Sequence, residues 1–345
     1  MTATGTVTST FDAYMGALRA GNRAAALALI RGLRADGHEV LSIITEVLAQ
    51  AQLRVGELWV RDEWSVAQEH AATAISEAAL TMLAVEREVE AVAAPDAPLV
   101  MVSCVEQEWH ALPALMVAEQ LRADGFAVNY LGANASAQHL VRHIHELGPR
   151  AVLLSCSLSA FLPLARRQIE AVRETGTPVV VGGAAFDRSG KRAAVLGATT
   201  FAASGTEATS AMRELPAAVG VAEPLSHPGS DEAHVVFGDR EVLADEVERL
   251  LFQTLGSERV TPVAGGDESW LRVLDDQMPH LVGAVAGALI TSDSSVIADA
   301  LDWADVVLRH RHAPPEVGPA LRRALHTALH DVPVAAHMLS AVQRG

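Results

Sequence analysis

Hydrophobic positions along the chain fall into three successive patterns. Between residues 11 and 92 they recur at threes and fours, as in Phe11, Met15, Leu18 and in Ala25, Leu29, Ile30, Leu33, the spacing of a helix with one buried face. Gly21-Asn22 and Asp36-Gly37-His38 interrupt this run as turns, and two longer helices are expected over Val40–Leu58 and Ser65–Arg87. Four helices with short connections predict a small bundle over residues 1–93.

After an Ala/Pro linker at Ala93–Pro98 the pattern changes to short apolar runs: Leu99–Cys104, Ala127–Leu131, Ala151–Ser155, Pro178–Val181 and Thr199–Ala202. Helical periods separate them, at 111–123, 136–147, 160–174 and 188–195, with another after Gly205. Continuous apolar strands alternating with helices predict a parallel sheet covered on both faces, a doubly wound domain over residues 94–218. Ala217–Ala233 collects Gly, Pro, Ser and acidic residues and reads as an interdomain linker. Residues 234–345 return to helical spacing, with helices expected through Val242–Leu255, Leu281–Leu289, Val296–Leu308, Val317–Leu329 and Val334–Val342. The fold class is therefore α/β plus all-α.

Composition narrows the function. A chain of 345 residues, half of them hydrophobic, is long enough for two or three packed domains. The net charge of −16 argues against nucleic acid as the main partner, because phosphate contacts need clustered Lys and Arg. Only Cys104 and Cys156 are present, both in expected buried strands, which points to a reducing compartment without structural disulfides. Met1–Thr10 lacks the features of a signal peptide and no uncharged apolar run reaches membrane-span length, so no membrane is expected and a cytoplasmic location is.

The candidate chemistry centres on the turn after the first strand. In doubly wound domains ligands sit outside the carboxyl ends of the strands, where His110, Gly132, Ser155, Gly182 and Gly183 fall. The turn carries Glu106, Gln107, Glu108, Trp109 and His110, whose carboxylates would repel a phosphate. An isolated histidine in such a turn is commonly a hydrogen-bonded surface or capping residue. Glu108 two residues earlier opens another reading: its carboxylate can take the Nδ1–H and leave Nε2 as a metal ligand. One imidazole without cage partners suits a metal whose other positions a macrocycle fills. Trp109 is either a wall of that pocket or a packing residue against the tail.

The order E-W-H-A-L-P at 108–113, S-C-S-L at 155–158 and G-G at 182–183 resembles the cobalamin-binding domain of methionine synthase, corrinoid proteins and coenzyme-dependent mutases, whose pattern is D-x-H-x-x-G, S-x-L and G-G. The resemblance implies that His110 is the lower axial ligand of cobalt and displaces the nucleotide base. It implies that Ser155, with Ser157 a second candidate, contacts that base, and that Gly182 and Gly183 leave room for the nucleotide tail. Glu108 stands for the family's Asp and Pro113 for its last Gly.

A second motif lies in the bundle, where Trp59 is followed ten residues later by Glu69-His70. Read alone, these are a bundle residue and a helix-surface pair. The spacing resembles the cobalamin-dependent photoreceptors, the light-sensing MerR-type repressors. The resemblance places Trp59 against the upper axial group, with Glu69 and His70 near an adenosyl moiety, so the cofactor is expected to be adenosylcobalamin. Those repressors carry a histidine directly after the tryptophan, where this chain has Val60. Either His70 or water then occupies cobalt after photolysis. The family's DNA-binding winged helix is absent, so direct DNA binding is not carried over.

The tail gathers Trp303, Arg309, His310, Arg311, His312, Arg322 and Arg323. This is either a solvated basic face at a helix C-terminus, a weak metal tract, or a pocket whose Arg forks take carboxylates. A cap, a cobalamin domain and a helical tail in one chain resemble the photocobilins. That resemblance implies a globin-like or phycobiliprotein-like tail holding a linear tetrapyrrole such as biliverdin, with Trp303, Arg309 and Arg311 as candidate contacts. Both cysteines lie outside the tail, so the bilin would be non-covalent. A light-driven sensor is implied, a homo-oligomer signalling to a downstream effector without catalytic turnover. A corrinoid methyl carrier of a methyltransferase system shares the same cobalamin motifs and is the alternative.

Overall fold

The computed structural model describes residues 3–90, 96–256 and 270–342; most of the expected Ala/Pro linker lies outside them. The chain divides into two compact units, Met1–Pro98 with Leu115–Ala127, and Leu99–Ala114 with Val128–Gly345.

The first unit is the expected bundle. Helices α1 (Ala3–Arg19) and α2 (Arg23–Ala35) are joined at Gly21, whose φ of +60° suits glycine, and at Asn22, whose Oδ1 accepts from Ala25 N at 3.1 Å as an N-cap. The predicted helix from Val40 is α3 (Val40–Ile43), a π-turn over Ile44–Leu48 and α4 (Ala49–Val60). Helix α5 runs Val66–Glu90. Ile30, Leu48, Leu80 and Leu83 are fully buried in this unit. A polar chain threads it: Tyr14 Oη meets Ser76 Oγ at 3.1 Å, Gln52 donates to Ser76 Oγ at 2.8 Å, and Thr73 Oγ1 donates to Gln52 Oε1 and to Glu69 Oε1, both at 3.0 Å. Burial pushes the Tyr14 hydroxyl up to about 12, against the lowering effect of its bond to Ser76. The buried Glu119 carboxylate, on α6 (Ala111–Ala123), pairs with Arg87 at 3.4 Å and with Arg122.

The second unit contains a five-stranded sheet in the order β2-β1-β3-β4-β5, built from β1 (Leu99–Cys104), β2 (Ala127–Gly132), β3 (Ala151–Ser155), β4 (Val179–Gly182) and β5 (Thr200–Phe201). The strands are parallel, with Cys104 opposite Ser155 and Ser155 opposite Gly182. The central β1, β3 and β4 are buried almost throughout and the edge strands β2 and β5 only partly, which is why the central runs read as unbroken apolar stretches. The chain leaves β1 toward β2 on one side and returns as β3 on the other. Such a reversal of strand order is where doubly wound sheets place their ligands, here the carboxyl edge between β1 and β3. Helices α7 (Ala137–Leu147), α8 (Leu162–Glu174), α9 (Lys191–Val195) and α10 (Gly205–Glu214) complete this part.

The expected linker is not a free connection. Arg166 donates to the carbonyl of Glu223 and Arg173 to that of Gly220, and α11 (Gly229–Gly238) already begins inside it. The helices that follow, α12 (Arg240–Leu255), α13 (Trp270–Thr291), α14 (Ser295–His310), α15 (Val317–Ala328) and α16 (Pro333–Val342), share one hydrophobic core with the sheet, running from Met101 and Leu154 through Leu162 and Val282 to Leu325 and Leu339. The contact is close because α13 is small where it touches the loop after β3. A Cβ on Gly283 would lie 2.7 Å from Ala160 Cβ and one on Gly287 2.4 Å from Ser159 O. No described helix is long and apolar enough to cross a membrane.

Candidate functional site

Glu108 is the centre of the turn between β1 and α6. Its side chain is fully buried, and it accepts four hydrogen bonds: from His110 N at 3.0 Å, Ser157 N at 2.7 Å, Leu158 N at 3.0 Å, and the His110 ring at 2.5 Å through Nδ1. Burial alone would raise the pKa of this carboxyl. The bond and charge of the His110 ring and the backbone N–H groups of His110 and Leu158 outweigh it, and Glu108 is held below the ordinary glutamate range. An Nδ1–H donated to this carboxylate is the arrangement that presents Nε2 as a metal-ligating nitrogen. The His110 side chain is 58% exposed and Trp109 beside it 71% exposed, so the indole is not a packing residue against the tail. Pro113 falls in the first turn of α6, where a helix needs no N–H from it.

The turn is fixed from several sides. Gln107 adopts φ +66°, a left-handed conformation costing a non-glycine residue roughly 1–2 kcal/mol. Its N–H donates to Asn134 Oδ1 at 2.9 Å, and Asn134 N donates to Glu108 O at 3.1 Å. The buried Gln168 accepts from Glu106 N at 3.0 Å and donates to Ala135 O at 2.6 Å, while Arg167 pairs with the Glu106 carboxylate. From the C-terminal helices, Arg240 Nη2 donates to Gln107 Oε1 at 3.0 Å. His280 on α13 stands edge-on to Phe161 with ring centroids 5.7 Å apart. Burial pushes the His280 pKa down, and the charges of Glu108 and His110 also bear on it. Asn134, Gln168, Arg240 and His280 were not among the expected site residues. Each is distant in sequence from His110, and only Asn134, two residues after the strand-ending Gly132, lay where inspection could have found it.

The structure brings the three cobalamin-type motifs to one edge. Ser155 is buried opposite Cys104, and its carbonyl accepts from Val105 N at 2.9 Å. Ser157 enters through its backbone N–H on Glu108. Gly182 and Gly183 are there too, each with its Cα against neighbouring backbone. A Cβ on Gly183, at φ +106°, would lie 2.2 Å from Cys156 O, and one on Gly182 2.8 Å from Ala202 O. Backbone packing thus already demands glycine at both positions. Burial, and then the nearby Glu108, raise the Cys104 thiol to about 12 and Cys156 well above its usual value, so neither is poised as a thiolate.

In the bundle, Trp59 is in the last turn of α4 and Glu69-His70 opens α5. The His70 ring bonds Glu69 Oε2 at 2.5 Å through Nδ1 and is mostly exposed. Glu69 is the surface end of the polar chain that starts at Tyr14. In the tail, Arg311 is buried and donates to Val307 O at 3.3 Å, and Arg309 and Trp303 are exposed. Arg322 pairs with Asp305 at 2.6 Å and Asp302 at 3.2 Å.

The residues at the edge of β1 fit a single-imidazole metal ligand: one exposed ring, oriented from behind by a buried carboxylate that is itself saturated by backbone donors. Residues 98–213 match the family model described as B12 binding domain, and residues 10–84 match a second model of the same description. The chain carries B12-binding domains, and its cofactor is of the cobalamin type. This cobalamin-binding protein is similar in structure to a monomethylamine corrinoid protein of Methanosarcina barkeri, at 22% identity over 60% of this chain and 99% of that one, with a TM-score of 0.52. A cobalamin-binding protein from Desulfitobacterium hafniense DCB-2 aligns at 20% identity over 59% and 97%, and a methanol:cobalamin methyltransferase complex from M. barkeri at 14% over 62% and 82%, each with a TM-score of 0.32. At these identities the first likeness speaks for the fold, and the other two add no weight. No curated protein matches the chain. Neither B12 binding domain model extends beyond residue 213.

Proposed function

We propose that this cobalamin-binding protein is a cytoplasmic light sensor that holds adenosylcobalamin with His110 as the lower axial ligand of cobalt. The observation that carries the ligation is the Glu108–His110 pair, a buried carboxylate on Nδ1 of an exposed ring. When bound, adenosylcobalamin supplies a cobalt–carbon bond that light can break. Glu108 fixes the tautomer and angle of His110, and Asn134, Gln168 and Arg167 hold the turn that carries both. Ser155 and Ser157 are assigned to the displaced base side by their position in the S-x-S-L segment. Trp59, Glu69 and His70 are assigned to the upper axial group by the resemblance of their spacing to cobalamin photoreceptors, with His70 the candidate ligand once that group is lost. The polar chain from Tyr14 to Glu69 supports a bundle in which a change at Glu69 reaches the interior.

For the tail we propose a non-covalent bilin such as biliverdin, with Trp303, Arg309 and Arg311 as candidate contacts. Arg322, neutralised by two aspartates, is a poorer carboxylate partner. The proposal includes a homo-oligomeric sensor that passes its state to an effector, without turnover or direct DNA contact. The second reading, a corrinoid methyl carrier, is favoured by the fold likeness that spans 99% of a corrinoid protein. Illumination separates them. Green light should shift the absorption spectrum of the adenosylcobalamin-loaded chain and change its elution on size exclusion. A light-inert protein that accepts methyl groups from a methyltransferase would establish the carrier instead.

A further inference from the structure

The cobalt-ligating turn is gripped by helices that lie outside the B12 binding domain matches. Arg240 opens α12, and its guanidinium is held before it reaches the turn: Nη1 donates to Phe237 O at 3.0 Å, the group lies 4.5 Å above the Phe237 ring, and Glu241 is 3.6 Å away. Nη2, the nitrogen nearest Glu241, donates to Gln107 Oε1 at 3.0 Å. Gln107 is the left-handed residue immediately before Glu108. On the other side, His280 meets Phe161 edge-on at 5.7 Å. Phe161 ends the 3-10 turn Ser159–Phe161, which follows the Ser157 and Leu158 N–H groups that Glu108 accepts. Close packing of Gly283 and Gly287 on Ala160 and Ser159 leaves α13 no slack to move independently of that loop.

We propose that Arg240 and His280 are positioning residues of the cobalamin site, through which the C-terminal helices set the presentation of His110 and register its ligation. Arg240 fixes the residue before the Glu108–His110 pair and His280 the loop behind it. A fork pinned by an aromatic face and a carbonyl transmits displacement in a way that a freely rotating lysine would not. This inference rests on His110 being the cobalt ligand.

The test loads the full chain with hydroxocobalamin and follows both the imidazole-ligated absorption and backbone hydrogen exchange. In the wild type, ligation should slow exchange in the first turn of α12 and around His280. Gln107→Leu should weaken binding about 5-fold by leaving the half-buried Arg240 fork without its acceptor, and should abolish protection in α12. Gln107→Glu, which keeps the acceptor, should restore both. Gln107→Leu combined with Arg240→Leu should cost no more than either alone, since both remove one contact. The inference is overturned if the wild type shows imidazole ligation while exchange in α12 and α13 is unmoved, or if both single variants bind as the wild type does. A wild type whose spectrum His110→Ala leaves unchanged removes the ligand assignment itself, and the inference with it.

Discussion

The turn after β1 and the end of α14 both place imidazoles beside charged neighbours, and the fold treats them oppositely. At Glu106–His110 a buried carboxylate accepts three backbone donors and one ring nitrogen, so the imidazole is aimed by a group that has nowhere else to go. At Arg309–His312 the arrangement is different: Arg311 donates to Val307 O of its own helix and Arg309 is exposed. The difference is whether a cluster is organised around a desolvated partner. Charge density along the sequence does not reveal that; the burial of one carboxylate does.

The contrast is broken most severely at its centre. Glu108→Ala leaves the N–H groups of His110, Ser157 and Leu158 without their acceptor, and at about 1–3 kcal/mol for each buried unsatisfied group it should destabilise the chain by several kcal/mol, read as a fall in the urea midpoint. Glu108→Gln retains part of the acceptor and should cost less. Next comes Gly183→Ala, which drives a methyl into Cys156 O from a left-handed backbone; a loss of about 1–3 kcal/mol is expected from overpacking, measured by thermal unfolding.

A smaller effect concerns the tie between sheet and tail. Arg192 on α9 bonds Asp293 at 2.8 Å and Ser295 at 2.9 Å. Burial works to raise the pKa of Asp293, but its bonds to Ser295 and Arg192 outweigh it and hold the carboxyl below the ordinary aspartate range. A carboxyl depressed in the folded state contributes stability above its unfolded value that is lost as pH falls through the folded one. Asp293→Asn should therefore lower the melting temperature near neutrality, and the difference from wild type should vanish as pH falls through the depressed Asp293 value, below the ordinary aspartate range. The smallest effect is expected in the tail, where Arg309→Ala should change stability by less than about 0.5 kcal/mol, as a surface substitution away from special features does. A large loss there would show that the cluster is organised after all.

The parts of this molecule that can be read along the chain are those whose causes are local. The three central strands announce themselves because both faces are buried, and the turn with Glu108 and His110 because carboxylate and imidazole are two residues apart. The bundle follows from its helical period and from turns at Gly21-Asn22 and Asp36-Gly37. Helix α11 was hidden because Gly229, Ser230, Asp231 and Glu232 have linker composition; its stability comes from packing, and Glu232 accepts from Val334 and Ala335 N–H groups at 3.0 Å. Arg240 and His280 were hidden for the same reason. Nothing in the first turn of one helix, or beside Pro279 within another, tells which distant turn it will meet. The merging of sheet and tail into one core was equally non-local, resting on Gly283 and Gly287 meeting a loop more than a hundred residues earlier.

The central claim is that His110, oriented by Glu108, ligates cobalt. It is tested most directly by the absorption spectrum of the hydroxocobalamin-loaded protein against that of His110→Ala. Ligation predicts an imidazole-bound spectrum in the wild type and its loss in the variant, with folding intact by circular dichroism. Identical spectra from the two proteins would contradict it.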